Sequence, residues 1–203
     1  MSEQVLILGA TSGIAKELTR VLAARGCRLI LAGRNREELE KSAVDLRVRY
    51  EASADVETFE ALDFASHAAL VESLLARPEP IDGVILCYGD LPDQRQTELD
   101  VEAARRAIDV NFTSAVSMLA RWANYLESRQ RGYLAVISSV AGDRGRQSNY
   151  TYGAAKAGLT AYLEGLRNRL FRSGVRVLTI KPGFVDTEMT FGRVDPNSPL
   201  VAS

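Results

Sequence analysis

The sequence has 203 residues, 46% of them apolar, which is enough to bury one substantial core, and we expect a single domain without an internal boundary. Its 25 basic and 26 acidic residues are interspersed and leave a net charge of −1, which argues against a nucleic-acid-binding surface. No apolar run approaches the roughly twenty residues of a membrane span, and the amino terminus lacks the pattern of a signal peptide. We therefore expect a cytoplasmic protein without a membrane span.

Short apolar strands alternate with helices along the chain. The strands are predicted at Val5–Leu8, Arg28–Ala32, Thr58–Ala61, Gly83–Leu86, Tyr133–Ser138 and Arg176–Ile180. Because such alternation requires crossover connections, we expect an α/β fold of the Rossmann type, a doubly wound parallel sheet with helices on both faces. Ligands bind such sheets at the carboxyl ends of the strands, so the residues that follow each strand are the candidates for a site.

A glycine-rich turn, Gly9–Ala15, follows the first strand and opens an amphipathic helix. A helix N-terminus directs unpaired N–H groups and the positive end of its dipole into such a turn. Glycines in the turn permit the close approach of a pyrophosphate. The residues expected to bind a dinucleotide here are Gly9, Thr11, Ser12, Gly13 and Ile14.

The second strand ends in Gly33-Arg34-Asn35, where a protein that binds NAD usually places a carboxylate against the ribose 2′-hydroxyl. No acid stands at this place. The planar, always-charged guanidinium of Arg34 suits a 2′-phosphate, so we predict NADP(H) in preference to NAD(H). The alternative is that Arg34 is a solvated loop arginine.

The chain has two cysteines, Cys27 and Cys87, and one histidine, His67. The two thiols are expected to be reduced packing residues rather than a disulfide, and they lack the company that a metal site needs. His67 lies in a polar stretch that opens a helix, and we expect it on the surface.

Tyr152 and Lys156 are four residues apart, so on a helix their side chains lie on the same face. A cation beside a phenol favours the phenolate, and Lys156 is expected to tune Tyr152 as a proton donor. Ser139 upstream supplies a hydroxyl. Ser138 would point the other way, because side chains alternate along a strand. The alternative is a solvated tyrosine–lysine pair on a half-exposed helix.

Together these features resemble the short-chain dehydrogenase/reductase family, whose glycine motif reads Gly-x-x-x-Gly-x-Gly and whose active site pairs Ser with Tyr-x-x-x-Lys. The likeness covers nearly the whole chain and includes Asp109-Val-Asn111 and Pro182-Gly183 followed by Thr187. It implies an enzyme that reduces a ketone or keto-sugar carbonyl to an alcohol by hydride transfer. Its partners would be a small-molecule carbonyl or alcohol substrate and a nicotinamide cofactor.

The resemblance also implies a role for each matched residue. Ser139 and Tyr152 would hydrogen-bond the carbonyl oxygen, Lys156 would also hold the nicotinamide ribose, and Asn111 would anchor a water of the proton relay. The further cofactor contacts that it implies are Asp63, Phe64, Cys87, Gly89, Pro182, Gly183, Val185 and Thr187.

The chain departs from the family pattern at two places. Ala15 replaces the third glycine of the turn, a small change that we expect to be tolerated. After the fourth strand, Cys87-Tyr-Gly89 replaces the usual Asn-Asn-Ala-Gly, so local hydrogen bonding is expected to differ. That replacement is similar to the decaprenylphosphoryl-2-keto-erythro-pentofuranose reductase branch. It also leaves open a dinucleotide-binding sensor or scaffold that has lost turnover.

Three expectations concern the periphery of the domain. The dinucleotide-binding and catalytic domain is expected over residues 1–190, with 191–203 a mobile tail or truncated substrate-loop region and the family's last strand lacking. The loop Asp143–Arg146 offers two arginines to a phosphate or acidic sugar, or is an ordinary surface loop. Family habit implies a homodimer or homotetramer, for which the candidate contacts, equally explained by core packing, are Leu119, Trp122, Leu159, Tyr162 and Leu166.

Overall fold

Six parallel strands form the main sheet of the computed structural model, which describes residues 2–189 and 201–202. The strands are β1 (Gln4–Leu8), β2 (Arg28–Gly33), β3 (Ala54–Thr58), β4 (Gly83–Leu86), β5 (Tyr133–Ile137) and β6 (Arg176–Ile180). Their order across the sheet is β3-β2-β1-β4-β5-β6, and all neighbours are parallel. The predicted Rossmann-type fold is therefore confirmed, and the direction of winding changes between β1 and β4.

Helices connect the strands and cover both faces of the sheet. They are α1 (Gly13–Ala24), α2 (Arg36–Tyr50), α3 (Ser66–Leu75), α4 (Gln94–Leu99), α5 (Val101–Ile108), α6 (Ser114–Arg129) and α7 (Tyr150–Leu170). A π-helical turn at Asp109–Thr113 joins α5 to α6, and a 3₁₀ turn at Val140–Gly142 follows β5. Within the described part of the chain, none of the helices combines the length and the apolar character needed to cross a membrane.

The side chains of β1 divide the core into two layers. Val5 and Ile7 pack on the face covered by α1 and α2, whereas Leu6 and Leu8 pack on the face covered by α3, α6 and α7. All four are fully buried. Burying an aliphatic side chain of this size stabilises a fold by roughly 1.5–3 kcal/mol, so a strand that is apolar on both faces holds the centre of the sheet.

The third strand lies earlier in the chain than predicted, at Ala54–Thr58 instead of Thr58–Ala61. It forms the edge of the sheet beside β2, and only its first residue, Ala54, is fully buried. The apolar residues Phe59 and Ala61, which suggested the later position, follow the strand and pack into the core from a loop. The prediction was wrong because the polar outward positions masked the strand.

His67 is buried, which contradicts the expectation of a surface residue. Its ring lies 5.5 Å from that of Phe59 and 5.4 Å from that of Phe64. Nδ1 is 2.9 Å from Ser117 Oγ and Nε2 is 3.4 Å from the Glu60 carbonyl oxygen. Burial lowers the pKa of His67, and the neutral ring braces the chain after β3.

Both cysteines are free and buried, as predicted. Burial raises the pKa of Cys27, and it raises the pKa of Cys87 to about 12. Both residues are therefore packing thiols.

Four of the five candidates for a subunit interface belong to the core. Leu119, Trp122, Leu159 and Leu166 are at most 6% exposed and pack on one face of the sheet. Core packing, the alternative explanation, accounts for them.

Most of the segment predicted as a tail, 191–203, lies outside the described residues. Its described part, β8 (Val201–Ala202), pairs in parallel with β7 (Phe184–Val185). The chain after β6 therefore forms a second sheet of two strands, separate from the main sheet.

Candidate active site

The turn after β1 brings the chain close to the segment that follows β4. Gly9 has φ +82°, and a Cβ atom at this position would lie 2.7 Å from the backbone nitrogen of Tyr88. A side chain at position 9 is therefore excluded by both the backbone conformation and the available space. Gly9 allows the ends of two neighbouring strands to meet.

The N-terminus of α1 is suited to bind an anionic group. Ser12 caps the helix, its Oγ accepting the Ala15 N–H at 3.3 Å, and the first turn contains no acidic residue. The N–H groups of Gly13 and Ile14 lie in that first turn, where a helix has no internal partners for them. Partial positive charge and free donors at one place fit a pyrophosphate.

A cavity of about 690 Å³ runs along the carboxyl ends of the strands. It brings together residues from the turn after β1, from the ends of β2, β4 and β5, from α7 and from the chain after β6. The predicted site residues on its wall are Gly9, Thr11, Ser12, Gly13, Ile14, Arg34, Cys87, Gly89, Ser139, Tyr152, Lys156, Pro182, Gly183, Val185 and Thr187. Most of the predicted constellation thus lines one cavity.

Asp63 and Phe64 are not on the wall of this cavity, although they were predicted to contact the cofactor. Phe59, Glu60 and Ala61 line it instead. Because β3 already ends at Thr58, the chain reaches the edge of the cavity several residues earlier than predicted. The signal that could have located it was the apolar pair Phe59 and Ala61 directly after a polar edge strand.

The position of Ser139 is set by the close packing of α7 against the Val140–Gly142 turn. A Cβ atom on Gly142 would lie 2.7 Å from the Ala157 nitrogen, and one on Gly153 would lie 2.7 Å from the Ala141 oxygen. Two glycines therefore let the backbones of turn and helix touch. This contact brings Ser139, the residue before the turn, to the same wall as Tyr152 on α7.

The two consecutive serines point in opposite directions, as predicted. Ser138 Oγ donates to the Lys156 carbonyl oxygen at 3.2 Å and lies 2.8 Å from Thr160 Oγ1, so this hydroxyl is engaged by α7. Ser139 Oγ accepts the Ala141 N–H at 3.1 Å and lies on the cavity wall. Ser139 is the serine whose hydroxyl lies beside the Tyr152 phenol on the cavity wall.

Tyr152 has a raised pKa, whereas the sequence suggested that Lys156 would lower it. Burial of the phenol is the main cause, and the nearby Ser139 hydroxyl acts in the opposite direction. The expectation was wrong because burial penalises the phenolate more than the surroundings stabilise it. Tyr152 is therefore protonated at neutral pH.

Lys156 is 3% exposed, and its Nζ donates to the Ile137 carbonyl oxygen at 3.1 Å. The same nitrogen lies 5.7 Å from the centre of the Tyr152 ring. Burial lowers the pKa of Lys156 to about 8. A buried amine with one carbonyl partner and a phenol ring beside it retains two N–H donors for a ligand.

Asn111 lies in the π-helical turn and is 1% exposed. Its Nδ2 donates to the carbonyl oxygens of Asp90 at 2.7 Å and Ala107 at 2.9 Å, and its Oδ1 accepts the Asp90 N–H at 3.1 Å. The amide thus ties the turn to the segment after β4. π-Helical turns of this kind are frequent at functional sites.

Tyr88, in the segment that departs from the family pattern, also lines the cavity. Its hydroxyl lies 2.7 Å from Ser114 Oγ, and its ring is 5.2 Å from that of Phe59. Burial raises the pKa of Tyr88. The tyrosine therefore links the end of β4 to α6 and to the chain after β3, and Gly89 still faces Asn111.

Arg34 follows the last residues of β2 and lies on the cavity wall with its side chain exposed. The next residue, Asn35, caps α2 through its Oδ1, which accepts the Glu38 N–H at 3.2 Å. No ion pair or hydrogen bond ties the Arg34 guanidinium to another residue that the structure describes. It is available to an anionic ligand.

The comparison with protein families decides the assignment. A model described as short chain dehydrogenase matches residues 3–197. The chain belongs to this family. It is similar to an uncharacterized oxidoreductase of Mycobacterium tuberculosis, 42% identical over 93% of this chain and 75% of that protein. It is also similar to an uncharacterized oxidoreductase of Streptomyces coelicolor, 38% identical over 96% of this chain and 74% of that protein.

Solved structures agree with the family assignment. A short-chain dehydrogenase from Sphingobium yanoikuyae in complex with NADPH has a TM-score of 0.89 at 28% identity, covering 98% of this chain and 79% of that one. Actinorhodin polyketide ketoreductase with NADPH has a TM-score of 0.85 at 28% identity, and the match covers 93% of this chain and 72% of that one. This short-chain dehydrogenase is an oxidoreductase with a Rossmann nucleotide-binding fold, and the family supports a nicotinamide dinucleotide as its cofactor.

Proposed function

We propose that this short-chain dehydrogenase reduces the carbonyl of a ketone or keto-sugar to an alcohol, with NADP(H) preferred over NAD(H). The observation that carries the proposal is one cavity lined by both the glycine turn after β1 and the side chains of Ser139, Tyr152 and Lys156. The first set fits a dinucleotide, and the second fits proton transfer to an oxygen. A protein that only bound nucleotides would need the first set alone.

The two hydroxyls on the cavity wall would activate the substrate. Ser139 and Tyr152 donate hydrogen bonds to the carbonyl oxygen, where negative charge develops during reduction. When bound, the reduced nicotinamide supplies a hydride to the carbonyl carbon. Tyr152 gives its proton to the oxygen, a role supported by the raised pKa that keeps the phenol protonated at neutral pH.

Lys156 would act on both the cofactor and the proton donor. Its free N–H donors are suited to the hydroxyls of the nicotinamide ribose, and its position beside the Tyr152 ring lets the ammonium stabilise the phenolate once the proton has left. The segment after β6, with Pro182, Gly183 and Thr187, would hold the nicotinamide. Asn111, which hydrogen-bonds the Asp90 backbone, would position that backbone beside the nicotinamide.

Arg34 carries the preference for NADP(H). It stands where an enzyme specific for NAD places a carboxylate, and its guanidinium is unpaired among the described residues. A planar fork of donors matches a 2′-phosphate. Two similar enzymes, the ketoreductase and the Sphingobium dehydrogenase named above, were solved with NADPH.

The alternative, a sensor or scaffold without turnover, gains no support from the described residues. The unusual segment Cys87–Gly89 lines the cavity, and its glycine keeps the contact with Asn111 and Lys156. Oxidation of NADPH in the presence of a panel of ketones and keto-sugars tests the proposal. Turnover of a carbonyl compound supports it, whereas tight NADPH binding without turnover of any member would favour the scaffold.

A further inference from the structure

Two arginines without an ion pair lie on the cavity wall at some distance in sequence from the cofactor turn. Arg106 comes from α5, and Arg146 comes from the loop before α7. Neither guanidinium has a hydrogen bond or a carboxylate partner among residues 2–189. An arginine on the wall of a partly enclosed cavity, unneutralised by the protein, is a candidate contact for an anionic ligand.

The neighbouring charges are arranged so that these two arginines stay unpaired. Arg105, next to Arg106, pairs with Glu102 at 2.7 Å and with Asp109 at 3.1 Å. Asp143, the carboxylate nearest to Arg146 in sequence, pairs with Lys181 instead. The acids that local sequence would offer to Arg106 and Arg146 are therefore occupied by other cations.

Three carboxylates also line the cavity, those of Glu60, Asp90 and Glu188. None of them comes within the 4.0 Å that an ion pair with either arginine requires. The Asp90 backbone is held by Asn111, and Glu60 Oε1 accepts the Leu62 N–H at 3.1 Å. Acidic residues of the wall therefore do not satisfy the two guanidinium groups.

Topology separates these arginines from Arg34. Arg34 follows β2, on one side of the point where the winding changes, whereas α5, α7 and β5 belong to the other side. Here α5 packs against α7, the helix of Tyr152. The Asn149 N–H donates to the Arg146 carbonyl at 3.1 Å, which fixes the arginine's loop to the start of that helix. Arg106 and Arg146 therefore lie on the same side of the sheet as Tyr152. Arg34, the proposed contact for the 2′-phosphate, lies on the other side.

We infer that Arg106 and Arg146 recognise an anionic group, a phosphate or a carboxylate, carried by the substrate at a distance from its reacting carbonyl. The inference rests on the proposed function and specifies its substrate class. Each guanidinium supplies charge-assisted hydrogen bonds to the anion, and the carbonyl is then directed toward Ser139 and Tyr152. Neutral ketones of similar shape bind more weakly.

The test measures binding to the protein loaded with NADP⁺, because the oxidised cofactor cannot reduce a ketone and the result is independent of turnover. Calorimetry compares levulinate with levulinamide, and dihydroxyacetone phosphate with dihydroxyacetone. The first pair probes a carboxylate and the second a phosphate. The variants are Arg106→Ala and Arg146→Ala, with Arg144→Ala as the matched control, since Arg144 is exposed and absent from the cavity wall.

We expect an anionic member to bind more tightly than its neutral partner and each cavity variant to weaken that binding by roughly tenfold, the order expected for one charge-assisted hydrogen bond. Neutral ligands and Arg144→Ala should show no comparable change. Equal affinity within both pairs, or an equal loss in the control, would overturn the inference. Reduction of neutral ketones by NADPH, measured separately, would still support the proposed function in that case.

Discussion

Gly89 and Asn111 are in contact: a Cβ atom at position 89 would lie 2.8 Å from Asn111 Oδ1 and 3.4 Å from Lys156 Nζ. Asn111 has little freedom to withdraw, because its amide is bonded to the Asp90 N–H, to the Asp90 carbonyl and to the Ala107 carbonyl. Gly89, in the segment after β4, therefore leaves room for two of the predicted active-site side chains because it has no side chain of its own.

Gly89→Ala should lower kcat/KM by about a hundredfold, because a methyl group would displace Asn111, and misplacement by about 1 Å has an effect of this size. Steady-state kinetics measures the loss. Gly165→Ala is the control, since a Cβ there meets nothing within 4 Å. This helical change should keep activity and stabilise the protein by about 0.5–1 kcal/mol. Full activity of Gly89→Ala would show that the contact is unimportant.

Tyr152→Phe should abolish carbonyl reduction and leave NADPH affinity within about twofold, because the change removes one proton donor and keeps the ring. Tyr150→Phe is the matched control, since Tyr150 is exposed and opens the same helix. Stopped-flow or steady-state assays report turnover, and calorimetry reports cofactor binding. Substantial turnover by Tyr152→Phe would remove this residue from the proposed role.

Arg34→Ala should weaken NADPH binding by roughly tenfold, the value expected for one charge-assisted contact, and change NADH binding little. Arg36→Ala serves as control, because Arg36 is two residues away and pairs with Glu40 at 3.3 Å. Titrations that follow protein fluorescence or melting temperature give both affinities. An equal loss for the two cofactors would contradict the assignment of Arg34 to the 2′-phosphate.

Lys156→Met should abolish activity while stabilising the cofactor-free protein at pH 7 by about 1–3 kcal/mol. Burial lowers the folded-state pKa of Lys156 to about 8, below the ordinary value of 10.5, so the charged amine penalises the folded state. The upper limit of about 3 kcal/mol follows from the pKa shift, at about 1.4 kcal/mol per pH unit. Methionine also loses the hydrogen bond to the Ile137 carbonyl, which reduces the expected stabilisation.

The size of this effect depends on pH, and thermal unfolding can measure that dependence. Below pH 8 lysine is charged in both states and the penalty is complete. As pH rises from about 8 toward 10.5, the folded state loses its proton first and the penalty disappears. The advantage of Lys156→Met should therefore shrink between pH 7 and pH 10. A constant difference would assign it to packing alone.

Features that depend on local pattern were predictable from the sequence. The glycine turn after β1, the unpaired cation at Arg34 and the opposite orientation of Ser138 and Ser139 follow from strand ends, turn geometry and alternation. The parallel direction of the strands follows from the alternation of strands and helices. These inferences need no knowledge of which helix packs on which.

Features that depend on tertiary packing were not predictable in the same way. His67 looks polar in sequence, yet Phe59, Phe64 and Ser117 enclose it only after α3 docks on α6. The raised pKa of Tyr152 reflects burial that a spacing of four residues does not report. Arg106 lies on the cavity wall because α5 packs against α7, and the helical pattern of α5 alone does not signal this packing.

The glycine contacts that join α7 to the turn after β5 hold the two reacting hydroxyls in place independently of the loop between them. Backbone contact through Gly142 and Gly153 fixes the spacing of the two hydroxyls, so the intervening segment, residues 143–149, is an excursion between anchored ends. Its length and side chains are then free to change without moving Ser139 or Tyr152. Exchanging residues 143–149 alone could therefore change which substrates bind while the reacting groups stay in place.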